Sequence, residues 1–212
     1  MGKKKEDTLS IASAPAPAEL AQPQQGVERG APQQVRRKDV VVGRLTSERV
    51  MLASSDPARD LNNQGRFGTI LSGGRVQLSL MEAAYLEERE RITIIDGRGR
   101  KLSHEQLIAA GKRIEKAFWV KYCVFRDLRT RGYIVKTALK FGADFRVYDR
   151  GVKPGDDHAK WIVYPVHESG QVTWYDFAAK NRVAHSTKKR LLIAIVDEEG
   201  DVTYYEIKWM RP

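Results

Sequence analysis

The near-continuous apolar run Leu191–Val196 does most to restrict how this chain can fold. A strand that is apolar at almost every position has to be covered on both faces, whereas an alternating strand leaves one face in water. Strand signals recur on either side of it, in YIVKTAL, DFRVYDRG, AKWIVYPV and a last segment ending TYYEIKWM, with a hairpin turn at Glu198–Gly200. Between two of these strands, Asp176–Ser186 reads as a helix. This strand–helix alternation predicts a mixed sheet with helices on both faces. A long helix is expected before it, over about Ile114–Thr130. There Phe118, Tyr122, Phe125 and Leu128 recur at helical spacing and Gly132 provides the stop. Those aromatics read as core.

The first half reads as a small α+β unit. Asp39–Leu45 and Arg49–Ala53 are short strands around a tight turn, followed by a short helix with Ser55 or Asp56 as N-cap, Pro57 in its first turn and Gly65 as its stop. Further strands are expected at Gly68–Leu71, Arg75–Leu78 and Ile92–Ile95. Ser79 with Glu82, and Ser103 with Gln106, have capping-box spacing, so helices should start at residues 80 and 104. No residue in this half stands out as chemistry-bearing. Residues 1–36 hold half of the eight prolines, Gln and Ala runs and no aromatic, the composition of a disordered tail. The expected division is therefore a tail (1–36), an N-terminal domain (37–115) and a C-terminal domain (116–212).

The formal charge of +10 favours an anionic partner, nucleic acid before a membrane surface. No apolar run approaches the ~20 residues of a bilayer span and no signal-peptide pattern follows Met1–Lys5, so a cytoplasmic setting without membrane attachment is expected. The single cysteine, Cys123, excludes an internal disulfide and a multi-cysteine zinc site. His104, His158, His167 and His185 lack short ligand spacings, so neither metal nor cofactor is expected. Asp144 with distant acids is the one arrangement that could serve a magnesium nuclease. The basic glycine loop Gly97–Lys101 lacks the frame of a phosphate-binding loop.

Tyr148, His158 and Lys189 remain. Cutting RNA without a metal takes a base for the 2′-hydroxyl, an acid for the leaving 5′-oxygen and a charge to stabilise the phosphorane. Histidine serves either proton role, tyrosine can act as a base among cations, and lysine supplies compact charge. Spacing alone leaves a structural role open for each of them: an interfacial aromatic, a loop histidine, a solvated basic run.

The segments RGYIVKTALKFGADFRVYDRG, DDHAKWIVYPV and RVAHSTKKRLLIAIVDEEGDVTYYEIKWMRP resemble the catalytic C-terminal domain of archaeal tRNA-splicing endonucleases, and the first half is similar more loosely through QGRFG and QLSLMEAAYL. The resemblance implies an α+β N-terminal domain followed by an α/β, restriction-endonuclease-like domain with a mixed central sheet flanked by helices. It further implies metal-independent excision of introns from precursor tRNA at bulge-helix-bulge elements, with 2′,3′-cyclic phosphate and 5′-hydroxyl ends. Tyr148 would be the general base, His158 the general acid and Lys189 the transition-state stabiliser.

Family members clamp a bulged base between an arginine and a second planar group. Arg182 matches the arginine. Trp209 is the best stacker among Tyr204, Trp209 and Arg211 on the last strand, with packing at a subunit interface as its other reading. The family assembles as tetramers through an acidic loop of one subunit in a basic cleft of another. The matching loop here, His167–Gln171, holds only Glu168 as an acid. Either a homotetramer or a heterotetramer with a second, structural subunit is therefore expected.

Overall fold

The computed structural model describes residues 40–138, 142–152 and 158–210. The expected tail, and Asp156, Asp157 and Arg211, lie outside them. Two five-stranded sheets organise the described chain. The first half runs β1 (Val41–Thr46), β2 (Arg49–Leu52), α1 (Asp56–Asn63), β3 (Thr69–Ile70), β4 (Val76–Ser79), α2 (Leu80–Glu88), β5 (Ile92–Ile95) and α3 (His104–Ile114). Its sheet has the order β3-β4-β2-β1-β5, with β1 and β5 parallel and the other pairs antiparallel.

Both expected capping boxes form. The Ser79 and Ser103 hydroxyls each accept an N–H of their helix's first turn, and Glu82 and Gln106 reach back to the cap backbone. Ser55 rather than Asp56 caps α1, accepting from the Ala58 N–H. Glu82 does more than cap. One carboxylate oxygen accepts from Ser79, and the other accepts the Gly68 N–H at 2.9 Å and lies 3.5 Å from Lys136 Nζ in the second sheet. A buried carboxylate with such partners is satisfied on every side.

The second half runs α4 (Phe118–Thr130), β6 (Ile134–Thr137), β7 (Phe145–Tyr148), β8 (Trp161–His167), α5 (Trp174–Ser186), β9 (Arg190–Val196) and β10 (Val202–Ile207). The sheet order is β10-β9-β8-β7-β6, mixed because β8 and β9 are parallel. Helix α5 makes the crossover that a parallel pair needs. Val163, Ala194 and Val196 face α4, in one core cluster with Tyr122, Phe125 and the apolar residues of the first sheet. Ile162, Tyr164 and Leu191 face the other way and pack with Ala184 of α5. The central strands are covered on both faces, which is why Leu191–Val196 is apolar nearly throughout.

Two helix starts differ from expectation. Residues 114–130 are not one helix: α3 ends at Ile114, Glu115 is extended, and α4 starts at Phe118. The break lets the Phe118 ring pack on Gly111, where a Cβ would come within 2.4 Å of the ring. Helix α5 starts at Trp174 rather than Asp176, because the Thr173 hydroxyl accepts the Asp176 N–H and acts as N-cap. Among the described residues no helix is long and apolar enough to cross a membrane.

Candidate active site

Strand registers bring the expected site residues to one end of the second sheet. Ile134 pairs with Tyr148, Val147 with Trp161, Trp161 with Arg190, and Leu191 with Ile207. The Lys160 N–H donates to the Val147 carbonyl and the Arg190 N–H to the Lys160 carbonyl, so pairing continues past the strand ends. Carrying each register on gives one row across the sheet: Ile134, Tyr148, Lys160, Lys189, Trp209. At ~4.8 Å per strand, the backbones of Tyr148 and Lys189 are about 10 Å apart, with the start of β8 between them.

Side-chain alternation puts Tyr148 and Lys189 on the α5 face, because Phe145 and Val147 point toward α4 and Leu191 packs with Ala184. His158 is exposed, two residues before Lys160 enters the row. The Tyr148 ring is buried, and the Arg146 guanidinium lies 5.8 Å from its centroid. Arg146 was missed in the sequence. Its signal is the two-residue offset that puts both side chains on one strand face.

Lys189 is held by the end of α5. Thr187 is the C-cap, Lys188 turns left-handed at φ 54°, and the Lys188 and Lys189 N–H groups return to the carbonyls of His185 and Ala184. This is a Schellman ending with lysine where glycine is usual. Lys189 Nζ donates to the Thr187 carbonyl at 2.9 Å. Lys160 ties the row together from the side, its Nζ 2.6 Å from Asp149 Oδ2. That bond is the main cause holding the Asp149 carboxyl below its ordinary range.

Arg182 is exposed on α5, one turn before His185, so both lie on the same helix face. The Trp209 ring packs on His185 with centroids 4.8 Å apart, which brings Trp209 to the face that carries Arg182. Trp209 follows β10 rather than lying on it, since that strand ends at Ile207. Tyr204, the other described candidate, donates its hydroxyl to Asp127 on the α4 face and is spoken for there. His185, in the middle of the pair, was read in the sequence only as a histidine without ligand spacing.

The other candidates are occupied. Asp144 pairs with Lys121 at 2.6 Å. In the basic glycine loop, the Asp96 carboxylate accepts the N–H groups of Arg98 and Arg100, so the amides a phosphate would need are already bonded. Among the described residues no three His, Cys, Asp or Glu side chains gather as a metal site requires.

The opposite end of the sheet is acidic. The β9–β10 turn carries Asp197, Glu198, Glu199 and Asp201, and the Glu168 carboxylate accepts the Glu198 N–H across to it. The loop His167–Gln171 is poor in acids by itself but packs beside this turn.

A family model described as "tRNA intron endonuclease, catalytic C-terminal domain" matches residues 118–204, and one described as "tRNA intron endonuclease, N-terminal domain" matches residues 41–108. A "tRNA-splicing endonuclease" of Thermococcus onnurineus is 42% identical over 174 residues, covering 82% of this chain and 99% of that protein. Proteins of the same name from Pyrococcus furiosus (42% over 174 residues; 82% of this chain, 99% of that one) and Methanothermobacter thermautotrophicus (41% over 172 residues; 81% and 99%) are similar to the same extent.

Proposed function

This chain belongs to the tRNA intron endonuclease family, and we propose that it excises introns from precursor tRNA at bulge-helix-bulge elements, without a metal, leaving 2′,3′-cyclic phosphate and 5′-hydroxyl ends. The observation that carries this reading is the single row across the end of the second sheet, with Tyr148 and Lys189 on one face and His158 beside it. Tyr148 takes the proton of the 2′-hydroxyl, and the 2′-oxygen attacks phosphorus. As the bond from phosphorus to the 5′-oxygen breaks, His158 delivers a proton to that oxygen. Lys189 stabilises the charge on the phosphorane oxygens. Arg182 and Trp209, one turn of α5 away, take the faces of an unstacked bulge base.

The two matched segments support residues 37–115 as an N-terminal domain and 116–212 as the catalytic domain, with 1–36 an appended basic tail. The protein works in the cytoplasm as a tetramer, either of this one chain or with a second, structural subunit. That assembly is supported by the acid-rich turn Asp197–Asp201 on a chain of charge +10 and by the edge strand β10, on which Tyr205 is 56% exposed.

The test is cleavage of an intron-containing precursor tRNA in EDTA, with analysis of the ends. Cyclic phosphate and 5′-hydroxyl ends are expected, and loss of cleavage under chelation or 3′-hydroxyl ends would refute the mechanism. Tyr148→Phe, His158→Ala and Lys189→Ala should each slow the cleavage step far more than they weaken binding. The mass of the assembly in solution checks the tetramer, and a monomer that cleaves normally would overturn it.

A further inference from the structure

A groove of about 420 Å³ opens at the other end of the active-site row, beyond Ile134. One wall is Gln64–Arg66, the turn after α1. The other is Gly132–Ile134, between α4 and β6, with Gly151 at the mouth. Ile134 is the direct antiparallel partner of Tyr148, and Gly151 follows Tyr148 by three residues, so the groove starts one strand from the general base. It lies on the opposite side of Tyr148 from Lys189, Arg182 and Trp209.

Its shape is fixed from beneath. The Arg129 guanidinium donates to the carbonyls of Gly65 and Tyr133, one on each wall, while lying 3.8 Å from the Phe67 ring centroid. Its rim is open: Gly132 and Gly151 have positive φ, and a Cβ on either would meet nothing within 4 Å. Among the described residues that line it, the charged ones are Arg66 and Arg129. Arg150 lies 5.1 Å from the ring centroid of Tyr133, on the same wall. Among the described residues neither Arg66 nor Arg150 forms a side-chain salt bridge, and the Asp149 carboxylate, which accepts the Arg150 N–H at 3.1 Å, is paired with Lys160. The larger cavity, between the two halves, differs in having Glu48, Glu82, Glu115 and Asp144 among its cations.

We infer that this groove binds the precursor strand on the far side of the cleaved bond from the Arg182–Trp209 pair, with Arg66 and Arg150 contacting its phosphates and Tyr133 offering a ring face to a base. A fixed groove with two arginines and an aromatic wall, one strand away from Tyr148, suits a single-stranded segment. The inference rests on the proposed function, because it takes the same RNA as occupant. It makes the first half of the chain part of the binding surface through Gln64–Arg66.

The test is binding of a precursor tRNA made uncleavable by 2′-deoxyribose at both cut positions, measured by anisotropy across a salt series. Arg66→Gly suits the backbone there, where φ is 57°, so it removes charge without adding strain. Arg66→Gly and Arg150→Gln should each raise Kd about ten-fold and reduce the slope of log K against log salt by about 0.7, one single-strand phosphate contact. Arg98→Ala, in the loop after β5, should keep the wild-type Kd and slope. Wild-type Kd and slope in both groove variants, while the wild type cleaves normal precursor, would overturn the groove alone. A higher Kd with unchanged slope and a lowered Tm would also overturn it, by showing a structural effect. A wild type that leaves normal precursor uncut would overturn the function and the groove with it.

Discussion

The Trp209 ring sits 4.8 Å from the His185 ring, at an angle of 59°, although the two residues come from different ends of the α5–β9–β10 unit. Lys189 and Trp209 are opposite each other when the β9–β10 register is continued, and α5 ends just before Lys189. His185 thus holds the tryptophan over the helix face that also carries Arg182, next to the row of Tyr148, Lys160 and Lys189.

Removal of that ring is expected to weaken RNA binding without unfolding the protein. Trp209 is 53% exposed, so Trp209→Ala costs little core packing. Base stacking on an aromatic is worth about 1–3 kcal/mol, so Kd for uncleavable precursor should rise about ten-fold. In a double-mutant cycle, Arg182→Ala and Trp209→Ala should be non-additive, as two halves of one clamp. A change in assembly mass with Kd unaltered would identify Trp209 as an interface residue instead.

Glu82 should be the costliest single substitution outside the apolar core. Its carboxylate serves the N-terminus of α2, the Gly68 N–H and Lys136 of the second sheet. Glu82→Ala leaves a buried amide and a half-buried ammonium without their acceptor and removes a cap, a loss of about 3 kcal/mol. For a chain of this size that corresponds to a fall in Tm of roughly 6–12 °C. Glu82→Gln keeps one acceptor oxygen and should lose less. Thermal unfolding of the two variants checks the order.

Local features were the most legible in the sequence. The capping boxes at Ser79 and Ser103, the Glu198–Gly200 turn and the two-sided burial of Leu191–Val196 each depend on residues close in the chain. The helix start at Phe118 was misread because packing decides it: the Phe118 ring needs the bare backbone of Gly111. The start at Trp174 was misread although its signal, the Thr173 N-cap, is local. Tyr148, His158 and Lys189 stood out by residue type. The row that Tyr148 and Lys189 share did not, since it depends on pairings between distant strands. Arg66 escaped notice for the same reason. Nothing in QGRFG announces that it will face Gly132 and Tyr133 across a groove.

Stability should decline above about pH 9, and more steeply above about pH 10. Burial, then a hydrogen bond to a carboxylate, pushes the phenols of Tyr122 (to Glu88, 2.7 Å) and Tyr204 (to Asp127, 2.8 Å) well above the ordinary tyrosine range. Burial also pushes the Cys123 thiol up to about 11. The unfolded chain releases these protons first, so it binds fewer than the folded chain and gains from each further rise in pH. The tyrosines' contribution is complete below about pH 10 and is lost above it, by up to ~1.4 kcal/mol per pH unit for each phenol. Tyr122→Phe should cost about 1 kcal/mol at neutral pH and make the alkaline decline shallower. Urea unfolding between neutral and alkaline pH measures both, and an unchanged decline in Tyr122→Phe would contradict the assignment.

Lys188 controls where Lys189 stands. With φ at 54° it occupies the left-handed region, and its turn directs the Lys189 N–H back to the Ala184 carbonyl. Glycine adopts that conformation freely, so Lys188→Gly should stabilise the protein by about 0.5–1 kcal/mol while keeping the turn. A β-branched residue resists it, so Lys188→Val should cost about 1–3 kcal/mol or force the turn to open. Opening shifts the start of β9 and moves Lys189 out of the row shared with Tyr148. The two variants lose the same charge, so any direct contact of the Lys188 ammonium with RNA raises KM equally in both. The backbone effect appears only in the cleavage step, where Lys188→Val should have the lower kcat under single-turnover conditions. Equal kcat in the two variants would mean that the helix ending does not position the lysine that follows it.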